Sequence, residues 1–223
     1  MERLNLLILG ATGKTGHLVR EIAGERGHRV TAVARPGSVL DNREDLTVIS
    51  GSVLDPATMR EAMKNQDAVI SCLGLRRRAP SNPWSSVVSP PDLCARAAQI
   101  TIDAMTGAQV FRVVAMSAAG VGDSWPNMSR LERVAVRASR IAVSYRDFNE
   151  MERAFAQCPH DCLMVRPVKL SDDSRTADTA IVDRCKPRSL ISRYAVATWL
   201  VDAVERPARF DTFAEMIGER GSR

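Results

Sequence analysis

Aromatic residues are scarce in this chain of 223: there are 5 Phe, 3 Trp and 2 Tyr. A core of ordinary size must therefore rest on Val, Leu, Ile, Ala and Met. No apolar run approaches the length of about 18 residues that a membrane helix needs. The run that begins at Leu4 stops at Gly10, too short for a secretory leader, and no cleavage site follows it. Cysteines are few and odd in number, five in all. In a chain this long they read as reduced thiols, and the expected location is the cytoplasm. Motifs for other chemistries are missing too. Cys158-Pro159-His160-Asp161-Cys162 has no second Cys/His pair nearby, and structural zinc needs four ligands. The G-x-S-x-G elbow of serine hydrolases is absent. Gly13-Lys14-Thr15 lacks the first glycine of a P-loop. Arg133, Arg137 and Arg140 form a basic row without interleaved aromatics, which argues against nucleic acid.

What remains is an ordinary globular mixture, 45% hydrophobic and 26% charged. The net charge of +5 would suit a nucleic acid or a phosphorylated cofactor. Residues 4–9 are almost continuously apolar, as in a strand buried on both faces of a parallel sheet. Further β-rich runs lie at 30–34, 46–49, 67–74, 110–116 and 162–165. Helical spacing fills the intervals at 14–26, 56–64, 92–106 and 131–156. An amphipathic helix is expected at 191–205, and a short strand at 213–217 that would close the sheet edge. Strands alternating with helices predict a single doubly wound α/β domain over 1–223, a mostly parallel sheet with helices on both faces. Two stretches interrupt the alternation. Residues 76–91 hold four prolines, four serines and the run Arg76-Arg77-Arg78. Residues 171–187 are polar. Both are expected to be loops leaving carboxyl ends of strands, so that loops 74–91 and 167–190 would form a substrate pocket.

Gly10-Ala11-Thr12-Gly13-Lys14-Thr15-Gly16 lies between the first strand and the first helix. Gly10 would allow the sharp turn, Gly13 a close approach of backbone to a pyrophosphate, and Gly16 tight helix packing. The helix N-terminus would offer its free N–H groups to the phosphates. The spacing is G-x-x-G-x-x-G rather than G-x-G-x-x-G. At the end of the second strand, where an acid would select NAD, stands Arg35, and the nearest acid is Asp41. With Lys14 as a second cation and Ser38 as a possible hydroxyl, NADP(H) is the expected cofactor.

Several blocks occur together in one order: residues 10–16, Gly51-Ser52-Val53-Leu54-Asp55, residues 67–74, residues 113–120, Val165-Arg166-Pro167 and residues 192–197. In this the chain resembles the atypical short-chain dehydrogenase/reductase superfamily. The nearer likeness is to its NAD(P)H-binding branch, which includes NmrA-like proteins and biliverdin reductase B (flavin reductase). The resemblance implies that Ser52 and Val53 border the adenine, that Leu73 and Gly74 pass beside the ribose, and that Ser117, Pro167 and Val168 flank the nicotinamide. It also marks a departure. Many relatives carry Tyr-x-x-x-Lys on the helix after strand five, but their usual spacing falls on Ser144 and Phe148 here. Tyr145 is one residue off, and no lysine occurs between Lys64 and Lys169. Ser117 and Tyr145 are the candidate catalytic residues.

The expected activity is NADPH-dependent hydride transfer to a small acceptor such as a flavin, tetrapyrrole, quinone or enone. An NADP-sensing regulator without turnover and a non-redox isomerase or cyclase are the alternatives. The expected partner is a small-molecule substrate, with no metal, no nucleic acid and no membrane, in a monomer or homodimer. In the helix at 131–156 the row Leu131, Val134, Ala138, Ile141, Tyr145, Phe148 and Phe155 is expected to face the core. Glu152 interrupts that row and should have a buried partner.

Overall fold

The computed structural model describes residues 3–38, 40, 44–173, 178–185 and 189–220. Eight strands form one sheet: β1 (Asn5–Leu9), β2 (Arg29–Ala34), β3 (Leu46–Ser50), β4 (Ala68–Ser71), β5 (Arg112–Met116), β6 (Asp161–Pro167), β8 (Thr179–Ile181) and β10 (Ala214–Glu219). Their order is β3-β2-β1-β4-β5-β6-β10-β8, and β8 alone runs antiparallel, against β10. A separate parallel pair joins β7 (Lys169–Ser171) to β9 (Leu190–Ser192). The strand order reverses between β1 and β4, where an open α/β sheet leaves a crevice at the carboxyl ends.

β1 shows why this sheet is covered on both sides. Leu6 and Ile8 belong to one core, and Leu7 and Leu9 to the other. Side chains alternate across a strand, so a continuous apolar run feeds two faces at once. α1 (Lys14–Glu25) and α6 (Arg193–Val204) pack together on the first face, and α2 (Pro56–Ala62), α3 (Leu93–Ala108) and α5 (Ile141–Ala156) cover the second. α2, α3 and α6 each begin at an identifiable side-chain cap. Pro56 opens α2 behind Asp55, whose carboxylate accepts from the N–H groups of Ala57 and Thr58. α3 is capped from a distance: the buried Asp147 of α5 accepts from the N–H of Cys94 (3.0 Å) and of Ala95 (2.9 Å). Ser192 caps α6 through the N–H of Ala195.

Four expectations need correction. The helix expected over 131–156 is two helices, α4 (Arg130–Arg137) and α5, separated at 138–140. Loop 74–91 docks at that break. The Trp84 indole N–H donates to the Ala138 carbonyl (3.2 Å), and the Arg140 N–H to the Pro83 carbonyl (2.9 Å). Ser139 also bonds locally to both sides of the break, which competes with helix continuation. The apolar row of that segment therefore splits: Phe148 and Phe155 are buried, whereas Leu131 is 72% and Val134 61% exposed. Next, the strand near 213–217 does not close the sheet. β10 lies inside it, and the edge is β8, within the segment read as a plain loop. Lastly, the C-terminal helix is apolar almost all round and buried accordingly, rather than amphipathic. Loop 74–91 is itself partly ordered, as Arg77 and Val87 form an antiparallel bridge.

Candidate active site

The glycine-rich turn connects β1 to α1 at the crevice. Gly10 has φ +77°, and a Cβ there would lie 2.8 Å from the Cys72 carbonyl oxygen at the end of β4. Only glycine meets both demands, the left-handed backbone and the close approach. Gly16 is held equally tightly, since a Cβ would come within 2.2 Å of the Gly10 carbonyl. Gly13 differs. Its nearest contact from a Cβ would be the Gly10 carbonyl at 3.2 Å, with open space beyond. It stands as the N-cap of α1 without a side-chain cap, so the first N–H groups of the helix face that space. Thr12, Gly13 and Lys14 are exposed, and Thr15 and Gly16 are buried beneath them. Backbone donors, a helix N-terminus and room beside them fit the pyrophosphate of a dinucleotide.

The residues expected around such a cofactor line the same edge. Arg35 follows β2, exposed and without an acidic partner among the described residues, and Ser38 turns back so that its N–H meets the Arg35 carbonyl. Asp41 lies outside the described residues. Lys14 is engaged: its ammonium is 2.7 Å from Asp172, which also pairs with Arg193 at the start of α6. The hydrogen bond from Lys14 holds the Asp172 carboxyl below its ordinary range. Ser52 is exposed and its hydroxyl accepts from the Leu54 N–H, while Val53 is half-buried. Leu73 is buried in the core and Gly74 is exposed. A Cβ on Gly74 would meet only the ring of Phe148, at 3.9 Å.

β5 and β6 supply the other wall. The Ser117 N–H bonds the Val165 carbonyl (2.7 Å) and the Ala119 N–H the Pro167 carbonyl (2.9 Å), which fixes the segment after β5 to the end of β6. Pro167 and Val168 are buried. The Ser117 hydroxyl is buried and has no hydrogen-bond partner among the described residues. Tyr145 approaches from α5, but its hydroxyl donates to the Ala119 carbonyl (2.8 Å) and its ring meets Trp125 edge-on. Burial raises the Tyr145 pKa above the ordinary phenol value.

Beneath this segment lies a group whose membership the sequence only half disclosed. Arg166 donates to both oxygens of Glu152, at 3.0 and 2.6 Å, and to Asp123 at 2.5 Å. Glu152 thus has the buried partner expected for it. Gly122, at φ +60°, leaves the room: a Cβ there would sit 2.7 Å from the Arg166 guanidinium. The hydrogen bond from Arg166 holds the Asp123 carboxyl down. Arg166 comes from the Val165-Arg166-Pro167 block, so the signal was present and only the pairing was not. Asp147 and Asp172 carried no motif and were missed. Cys158 and Cys162 bring their sulfurs to 3.4 Å as thiols, while the His160 ring pairs with Thr106.

Residues 10–207 match the family model described as NAD(P)H-binding. The chain belongs to this family. The NAD(P)H-binding fold recurs in solved structures that align over nearly all of it. ChuY, an anaerobillin reductase from Escherichia coli O157:H7, superposes with a TM-score of 0.76 at 20% identity, over 98% of this chain and 98% of that one. A short-chain dehydrogenase/reductase from Veillonella parvula in complex with NADP gives 0.77 at 17% identity, over 99% and 96%. Eugenol synthase 1 of Petunia hybrida is 30% identical over 83 residues, which is 33% of this chain and 27% of that enzyme. The chain thus spans about a quarter of the length of that curated relative.

Proposed function

We propose that this NAD(P)H-binding protein is an NADPH-dependent reductase of a small, planar acceptor. The observation that carries the reading is the Ser117 hydroxyl, buried and without a partner among the described residues, in the segment bonded to the end of β6. An orphaned buried donor is costly, and a ligand oxygen would satisfy it. In this reading Gly13 and the α1 N-terminus hold the pyrophosphate, and Arg35 receives the 2′-phosphate. Ser52 and Val53 border the adenine, Leu73 and Gly74 the ribose. The nicotinamide supplies the hydride when bound. Ser117 orients and polarises the acceptor oxygen, since a serine hydroxyl is too weak an acid to donate its proton outright at neutral pH. The reduced acceptor takes up the proton that completes the reduction from water. Loops 74–91 and 167–190 shape the acceptor pocket, and the Lys14–Asp172–Arg193 contact ties the second loop to the cofactor turn. The reductase named among the structural neighbours supports this choice of chemistry.

A second reading, cofactor binding without turnover or with non-redox chemistry, draws on Tyr145. Its hydroxyl is committed to the Ala119 carbonyl, and Ser144 and Phe148 stand where relatives carry the tyrosine and lysine. Following NADPH absorbance with flavins, quinones, enones and linear tetrapyrroles separates the two. Steady oxidation with one of these classes is expected, and Ser117→Ala should slow it about ten- to a hundredfold, the size of one lost hydrogen bond of roughly 1.5–3 kcal/mol. Tight NADPH binding with no turnover in any class would favour the second reading.

A further inference from the structure

The outer face of α5 carries a second recess. Ala142, Tyr145, Arg146 and Asn149 follow one another at helical spacing, and Trp125, Val136 and Arg137 stand opposite. Together they bound a cleft of about 400 Å³, within the size range of small-molecule sites. No residue of the 10–16 turn lines it, nor do Arg35, Leu73 or Gly74. Its floor is apolar: buried Val136, Ala142 and the ring of Tyr145. Its rim is cationic. Of the charged groups there, Glu150 is taken by Arg153 at 2.6 Å. Arg137 and Arg146 have no acidic partner among the described residues. The Arg137 guanidinium lies over the Trp125 ring, 5.2 Å from its centroid, so its position is already restricted.

Two guanidinium groups without an acidic partner among the described residues, beside an apolar floor, suit a flat hydrocarbon body ending in an oxyanion, and a carboxylate is the planar one. Guanidinium and carboxylate match as planar, two-point partners, and the rings would rest on Val136, Ala142 and Tyr145. We propose that this cleft is a binding site for a planar aryl carboxylate, separate from the dinucleotide site. Tyr145 is its inner wall.

Calorimetric titration of 2-naphthoate and of uncharged 2-naphthamide into the intact protein tests this, with and without saturating NADPH. Naphthoate should bind at least tenfold more tightly than the amide, a difference of about 1.4 kcal/mol. NADPH should leave that binding in place. Arg146→Gln, at an exposed position, and Arg137→Gln should each weaken naphthoate about tenfold without changing NADPH affinity. Absence of naphthoate binding, binding unaltered in both arginine variants, or displacement by NADPH would each overturn the proposal.

Discussion

Ser117, just after β5, and Tyr145, on α5, both meet the segment at the carboxyl edge of the sheet, yet their hydroxyls are in opposite situations. That of Ser117 is buried without a partner among the described residues, and that of Tyr145 is bonded to a carbonyl. Tyr145→Phe should therefore cost less turnover than Ser117→Ala in single-turnover kinetics with NADPH and an active acceptor. The pH profile adds a second check. Burial favours the neutral phenol, so its ionisation moves above the ordinary value of about 10. No limb of the profile below about pH 10 should then shift in Tyr145→Phe; a limb that did would make Tyr145 the acid. The glycines make a parallel contrast. Gly16→Ala forces a Cβ onto the Gly10 carbonyl and should destabilise the fold itself, visible as a lower Tm. Gly13→Asp has space in the fold but puts bulk and negative charge where a pyrophosphate would lie. It should remove NADPH binding while leaving thermal unfolding near wild type. The tight fits of Gly10 and Gly16 were legible in the sequence because both arise within a turn only seven residues long. Lys14 was not: its partner Asp172 is 158 positions away, and spacing carries no signal over that distance.

At the scale of elements, the parallel strands were legible because burial on both faces writes continuous apolar runs, as at β1 and β6. β8 was not, since three residues in a polar stretch become a strand only through pairing with β10. The break between α4 and α5 was also hidden. The local pattern favours one helix, while Ser139 bonds to both sides of the break and Pro83 and Trp84 of a distant loop dock there. The two long-range supports of α3 and β6 give predictions of their own. Asp147→Ala removes both side-chain acceptors at the start of α3 and should cost about 1–2 kcal/mol in chemical denaturation. Arg166→Met leaves Glu152 buried and unpaired, which should cost about 3–5 kcal/mol. An Arg166→Met protein as stable as wild type would show that the pair does not hold the segment after β5.

The molecule as a whole is a doubly wound sheet whose strand order reverses between β1 and β4. The turn after β1, Arg35 after β2, Gly74 after β4, Ser117 after β5 and Pro167 at the end of β6 all lie along one carboxyl edge. Membership of the NAD(P)H-binding family accounts for the edge; Arg35 in place of an acid is what would select between the two cofactors. The most direct test is calorimetric titration of NADPH and NADH into wild type and Arg35→Ala. NADPH should bind about ten- to a hundredfold more tightly than NADH in the wild type, the size of one charge-assisted contact. Arg35→Ala should erase most of that difference by weakening NADPH and leaving NADH unchanged. Equal affinity of the wild type for the two cofactors would contradict the account.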